Sequence, residues 1–272
     1  MADLTGCIFC GNGPLTEEHV LPRRLNRIVP FAGDDHTEMM ITIRPGQTRE
    51  TAQEIRYRQP PYERTARCVC EPCNHDWMSD LDEAAEHVYS PLMRGEAIGR
   101  MGPGDQRVLA WWLAKVIAVM EYADRLQPGM SSSQHRWIME RKSPPPGTKV
   151  WIGDFDLPGD ATYRYEHVTW CIAPGVPDLV TGGWARPRGS AGDSNSHFSM
   201  LTVGRLAAII LGTASALGLG PLADLPPSLA ASLGQLWPLR TKYFAWPPGP
   251  PVPPSTSEFG EGLENFAFFP ER

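Results

Sequence analysis

The sequence predicts an α+β protein, with a zinc-stapled N-terminal module over residues 1–95 and a larger mixed helical and strand domain over residues 100–272. Three observations carry this. Two Cys-x₂-Cys pairs, Cys7/Cys10 in CIFC and Cys70/Cys73 in CEPC, are separated by 59 residues. A helical repeat of apolar residues starts directly after the second pair. Beyond a Gly-rich break at 99–104, one long apolar helix is followed by short strand patterns set apart by Gly/Pro turns.

Each cysteine knuckle puts two thiolates on one tight turn, and two knuckles close a tetrahedral zinc site. The long intervening segment costs little, because loop-closure entropy grows only logarithmically with length. Both knuckles carry a turn-former, Gly11 and Pro72, which favours a metal site over buried free thiols. Six cysteines in 272 residues, four of them paired this way, suit metal ligation in a reducing compartment better than a disulfide framework. Cys68 forms only an x₁ pair with Cys70 and reads as a neighbour, while Cys171 reads as core. One structural Zn²⁺ per chain is expected.

After Cys73, the residues Trp77, Leu81, Ala84/Ala85 and Val88 recur at helical spacing, so residues 74–90 form an amphipathic helix with its acids outward. Asp105 caps a mostly buried helix, DQRVLAWWLAKVIAVMEYADRL, stopped by Pro128-Gly129. In it Trp111, Trp112 and Lys115 read as core with a snorkelling lysine. PPPGTKVWIGDFD (144–156) reads as a turn and a strand, and EHVTWCI (166–172) as a second strand. FSMLTVGRL reads as a strand leading into an apolar helix over 206–223; its Gly212, Gly218, Gly220 and Pro221 make it a buried helix rather than a membrane span. The Pro-rich segment 247–257 is a linker or surface strap.

A composition of 42% hydrophobic and 21% charged residues is that of a globular chain. The net charge of −6 argues against nonspecific coating of nucleic acid. Charge is unevenly spread, however: residues 20–70 hold nine Arg against six acids, and residues 71–100 hold seven acids against two Arg. The start MADLTGCIFC lacks the basic region and apolar stretch of a secretory signal, so a cytoplasmic location without membrane contact is expected.

Glu18-His19 sets a carboxylate suited to a hard cation beside the side chain best suited to act as a base near neutral pH. Asn74 by itself is an ordinary helix N-cap. If zinc pins the two knuckles together, the Glu18-His19 segment and the helix opening at Asn74 converge on one small cleft. A base beside a cation ligand is the pair of residue types that metal-assisted hydrolysis asks for. The attacking water must lose a proton, which an imidazole accepts, and the departing alkoxide needs positive charge, which a carboxylate-held cation supplies.

The order C-x₂-C, then EHVLP (18–22), then C-x₂-C followed directly by Asn resembles the HNH endonucleases of the ββα-metal superfamily. CNHDWM (73–78) looks like a bacterial and phage subset of that family. The resemblance covers about residues 5–95, and the helix at 105–126 and the strand VWIG (150–153) also look like the remainder of such proteins. It implies a ββα-metal module in which Glu18 and Asn74 hold a catalytic divalent cation, Mg²⁺ or Mn²⁺, distinct from the zinc, and His19 activates the attacking water. The implied substrate is double-stranded DNA, contacted largely through its backbone, with Arg23, Arg24, Arg56 and Arg58 as candidate contacts.

One element of the family pattern is missing. Many HNH sequences carry a middle Asn that orients the base, but no Asn lies between Asn26 and Asn74, and Thr65 in YERTAR is the nearest position. His75 and Asp76 read as solvated first-turn residues and His36 as a solvated loop histidine. Three other readings stay open: a zinc-stapled module that binds nucleic acid or protein without cutting, a ribonuclease using the same chemistry, and a regulated nuclease whose C-terminal region takes a protein partner or signal ligand.

Overall fold

The computed structural model describes residues 4–42, 53–123, 128–155, 162–170, 195–214, 225 and 227–252. In chain order the elements are β1 (Leu15–His19), α1 (Leu25–Ile28), β2 (His36–Thr42), β3 (Gln53–Tyr57), β4 (Thr65–Cys70), α2 (Glu71–Cys73), α3 (Ser79–Met93), β5 (Gly99–Met101), α4 (Pro103–Ala123) and α5 (Ser132–Arg141). They continue with β6 (Thr148–Asp154), β7 (Tyr163–Trp170), β8 (Ser196–Val203), β9 (Leu206–Thr213), α6 (Pro227–Ala230), β10 (Gly234–Trp237) and β11 (Phe244–Trp246). The result is a mixed α/β structure in which, among the described residues, every strand pair but β2 with β7 is antiparallel.

Strands β1 and β4 form a two-stranded antiparallel sheet, with Leu15 opposite Cys70 and His19 opposite Thr65. The chain leaves β4 directly into a helical run: α2, a single wider π-wound turn over Asn74–Met78, and α3. The acidic residues Asp80 and Glu83 point to solvent as the amphipathic pattern requires, but Asp82 is buried.

The larger sheet has seven strands in the order β10-β6-β9-β8-β7-β2-β3. The last two strands at one end, β2 and the edge strand β3, come from the segment between the cysteine knuckles, and β2 joins the sheet by a parallel pairing with β7. A buried polar cluster holds that junction. Glu38 on β2 is fully buried, is ion-paired with Arg64, accepts from the Tyr163 hydroxyl at 2.5 Å, and faces His36 Nε2 at 3.2 Å. Burial alone would raise the Glu38 carboxyl; His36, Arg64 and Tyr163 together hold it below its ordinary range. His36 is therefore not a solvated loop residue. It lies on β2, buried, with Nδ1 2.7 Å from the Gln59 carbonyl.

Helix α4 is the spine of the molecule. Every residue from Leu109 to Glu121 is buried, because the helix packs against α3 and β4 and also against β9 and β10. One hydrophobic core runs from Phe9 and Val69 through Leu113 and Ile117 to Ile210 and Leu236.

The apolar helix expected over 206–223 is corrected: Leu206–Thr213 is strand β9, buried along its whole length between β6 and β8, and residues 215–224 lie outside those described. The turn into it explains why. Val203 pairs with Leu206 across the two-residue turn Gly204-Arg205, with Gly204 at φ +56°, the primed hairpin geometry that matches strand twist. Strand β7 ends at Trp170, and Cys171 lies outside the described residues. The described part of the Pro-rich segment is a strap: Val252 N donates to Asp154 O at 2.8 Å at the end of β6. Among the described residues no helix is long and apolar enough to cross a membrane.

A Cβ on Gly204 would also collide with the Met93 carbonyl at the end of α3. Gly204→Ala is therefore expected to lower stability by about 1–3 kcal/mol, read as a shift in the urea midpoint at unchanged slope.

Candidate functional site

The first knuckle is a backbone-closed turn. Gly11 N donates to Cys7 O at 2.8 Å and Cys7 N to Asn12 O at 2.7 Å, with Gly11 at φ +80°, a conformation that costs glycine nothing. It is hung on β4 by Ile8 N donating to Cys68 O at 3.0 Å. The second knuckle is the step from β4 into helix, where Cys70 is the last extended residue and Pro72 occupies the first turn of α2. Proline is tolerated there because no intrahelical donor is lost.

These two turns bring the Sγ atoms of Cys7, Cys10, Cys70 and Cys73 within 4.8 Å of one another, with Cys10 and Cys70 at 3.4 Å. Zinc–sulfur bonds of about 2.3 Å imply sulfur–sulfur separations near 3.8 Å in a tetrahedron, so the four thiols fit such an ion with little adjustment. The cluster can hold a structural metal such as zinc. Cys68 is buried next to it and is not a member, as its spacing implied. Phe9 packs edge-on to Trp77 with centroids at 4.9 Å, and Trp77 stacks on Trp111 at 5.8 Å, which seals the metal-side residues against α4.

The β1–β4 pairing, with β4 running straight into α2, places β1 against the helix start. Asn74 Nδ2 donates to Glu17 O at 3.2 Å, which turns its amide oxygen away from that contact. An open cleft of about 350 Å³ is lined by Glu18, His19, Arg23, Arg24, Asn74, His75, Ser79 and Asp82, with Pro22 at its edge. The three residues singled out by sequence thus share one cavity. Asp76 is exposed and does not line it, whereas exposed His75 does.

Glu18 is only 7% exposed. Burial pushes its carboxyl up to about 7, opposed by the Lys115 charge and reinforced by Asp82. Lys115 does not snorkel. It is fully buried, with Nζ 2.8 Å from Asp82 Oδ1 and 3.8 Å from Glu18 Oε1, and Trp112 Nε1 also donates to Asp82 at 2.8 Å. The floor of the cleft is therefore two carboxylates sharing one buried ammonium. Neither Asp82 nor Lys115 was recognised from sequence as part of the site. Asp82 lies eight residues past Asn74, which repeats the face of the helix, but an outward acidic face was the simpler reading of that helix.

His19 is partly buried. Burial, and then the neighbouring Arg23, hold its imidazole below the ordinary range, so it is neutral near pH 7 and able to accept a proton. Thr65 is its direct cross-strand partner, and residues directly opposite in an antiparallel pair project on the same face. No hydrogen bond to the His19 ring is present among the described residues.

Three of the four candidate contact arginines are ion-paired. Arg23 donates to Glu63 through both Nε (3.2 Å) and Nη2 (3.0 Å), and Arg24 pairs with Glu86 at 2.9 Å, both at the cleft. Arg56 is paired with Asp35 on β3, an outer strand of the large sheet, and exposed Arg58 follows it. These two arginines are not in the cleft lining.

Two outcomes are expected. Cys70→Ser removes one equivalent of bound zinc from the purified protein and unfolds the N-terminal segment, seen as lost helical signal and lowered protease resistance. Lys115→Met leaves Glu18 and Asp82 buried without their counter-charge and lowers unfolding free energy by about 3–5 kcal/mol in urea titration. No family model, no curated protein and no solved structure matches the chain.

Proposed function

We propose that the protein is a divalent-cation-dependent endonuclease of the HNH type, hydrolysing phosphodiester bonds in double-stranded DNA. The observation that carries this reading is the shared cleft: Glu18, His19 and Asn74 line one cavity beside a four-cysteine cluster, together with Arg23 and Arg24.

The donors available suit a hard cation. Glu18 offers a carboxylate oxygen, the Asn74 amide oxygen is left over from the Glu17 contact, and Asp82 adds a second carboxylate. A Mg²⁺ or Mn²⁺ ion bound there would supply positive charge to the scissile phosphate and the leaving 3′-oxygen. His19, neutral at working pH, takes the proton from the attacking water. The water oxygen bonds to phosphorus as the bond to O3′ breaks, leaving a 5′-phosphate and, once the alkoxide is protonated, a 3′-hydroxyl. Arg23 and Arg24 exchange Glu63 and Glu86 for backbone phosphates, so DNA binding costs two surface ion pairs, each worth at most about 1 kcal/mol. Thr65, on the face of His19, is the residue placed to steady the imidazole where the family pattern has an Asn.

A second reading is favoured by one observation. Lys115 already supplies a positive charge to Glu18 and Asp82, which fits a module whose cleft is structural and which binds nucleic acid without cutting it. A plasmid assay separates the two. Wild-type protein with Mg²⁺ or Mn²⁺ is expected to nick and linearise supercoiled DNA, and His19→Ala to lower the rate about 10²–10⁴-fold with zinc content and fold intact. Equal cutting by the variant removes His19 from the base role. Binding without cutting by both proteins establishes the non-catalytic module, and cutting of RNA alone redirects the substrate.

A further inference from the structure

A second group of metal-type ligands lies in the core, remote in sequence from the knuckles. Glu121 near the end of α4, His167 on β7 and His197 on β8 are completely buried, and one ligand atom from each lies within 4.8 Å of the other two. His167 and His197 reach the same face of the sheet. His167 pairs with Ser199 and Thr169 with His197, so the two histidines are diagonal neighbours, with ring centroids 6.1 Å apart.

The polar atoms of this group are only partly satisfied by protein. His167 Nδ1 is 2.8 Å from Ser199 Oγ, which turns its Nε2 toward Glu121 Oε1 at 3.5 Å, too far for a hydrogen bond. His197 has no hydrogen-bond partner on either ring nitrogen, and His167 Nε2 has none. Glu121 is oriented from behind: its two oxygens accept the backbone N–H of Gly129 at 3.0 Å and of Met130 at 3.2 Å. An imidazole fully removed from water with both nitrogens idle is expensive, and a buried carboxylate facing it adds to the cost.

Space has been kept for this arrangement. Gly212 on β9 is the direct partner of His197, and a Cβ there would collide with the imidazole Nε2. Gly129 closes the other side, where a Cβ would come within 2.7 Å of the His197 Cβ. A serine behind one ligand histidine and two amides behind the ligand carboxylate are the supports that metal ligands characteristically have.

We infer that Glu121, His167 and His197 form a second metal site, taking one first-row divalent transition ion of the Zn²⁺ class through two imidazole nitrogens and one carboxylate oxygen. That donor set suits zinc, with a water for the fourth position. The ion ties α4 to β7 and β8 and is structural, since its ligands are sealed from solvent. It is independent of the nuclease reading.

The test uses the full chain. After exhaustive dialysis the wild-type protein is expected to retain two equivalents of zinc, and His197→Asn and His167→Gln one each. Metal-free protein titrated with Co²⁺ in excess Mg²⁺ is expected to show one equivalent with intense sulfur-to-cobalt charge transfer and a second with only weak ligand-field bands. That wild-type titration decides the matter even where a variant fails to fold. Saturation at one equivalent with the sulfur signature alone, or retention of two zinc ions by both histidine variants, overturns the site.

Discussion

The candidate chemistry depends on closing one loop. Residues 7–10 and 70–73 meet where four thiols converge, and the Ile8–Cys68 hydrogen bond and the β1–β4 pairing hold the same junction. β1 runs alongside β4, β4 feeds the helix, and Asn74 is thereby brought within hydrogen-bonding distance of the Glu17 carbonyl. Without an ion the four sulfurs contribute modest packing. With one, a bond set worth roughly 10–16 kcal/mol in small zinc domains offsets the entropy of ordering a long intervening segment.

Helix α4 shows how a deeply buried element can carry charge. Its interior is apolar as such a position demands, yet it brings Lys115 to Glu18 and Asp82 at one level and Glu121 to His167 and His197 at another. Removing a charge from water costs several kcal/mol after relaxation, so each of these groups must be met by partners at short range. Lys115 is met by two carboxylates. Glu121 is met by two backbone amides, with the His167 Nε2 standing off at 3.5 Å. The buried helix is in this sense a rod that positions a buried ammonium at one level and a buried carboxylate at another.

The sequence was most legible where chemistry restricts residue type. The two knuckles, the outlying Cys68, the helix after Cys73 and the strand at Thr148–Asp154 all follow from spacing and turn residues. It was least legible where tertiary context chooses between equivalent local options. LAAIILGT has no polar residue before Thr213, so its periodicity does not separate a buried strand from a buried helix; its eight-residue length, its Ile209-Ile210 pair and the Gly204-Arg205 turn were the available signals. His36 and Lys115 were misjudged for a related reason. Polar side chains are assigned to solvent by default, and only the positions of Glu38 and Asp82 reveal that burial is compensated. For Glu121, His167 and His197, three ligands on three separate elements leave no spacing to read.

The parallel pairing of β2 with β7 carries a consequence for biosynthesis. Strand β2 is made early, but its partner is made only after α4, α5 and β6 have emerged. The cysteines, in contrast, are complete once Cys73 is made, and can close on zinc while most of the chain is still unsynthesised. The nascent protein, once it holds zinc, presents a clamped β1–β4 pair and helix from which the β2–β3 ribbon hangs with its β2 edge open, a species prone to stray strand pairing until translation supplies residues 163–170.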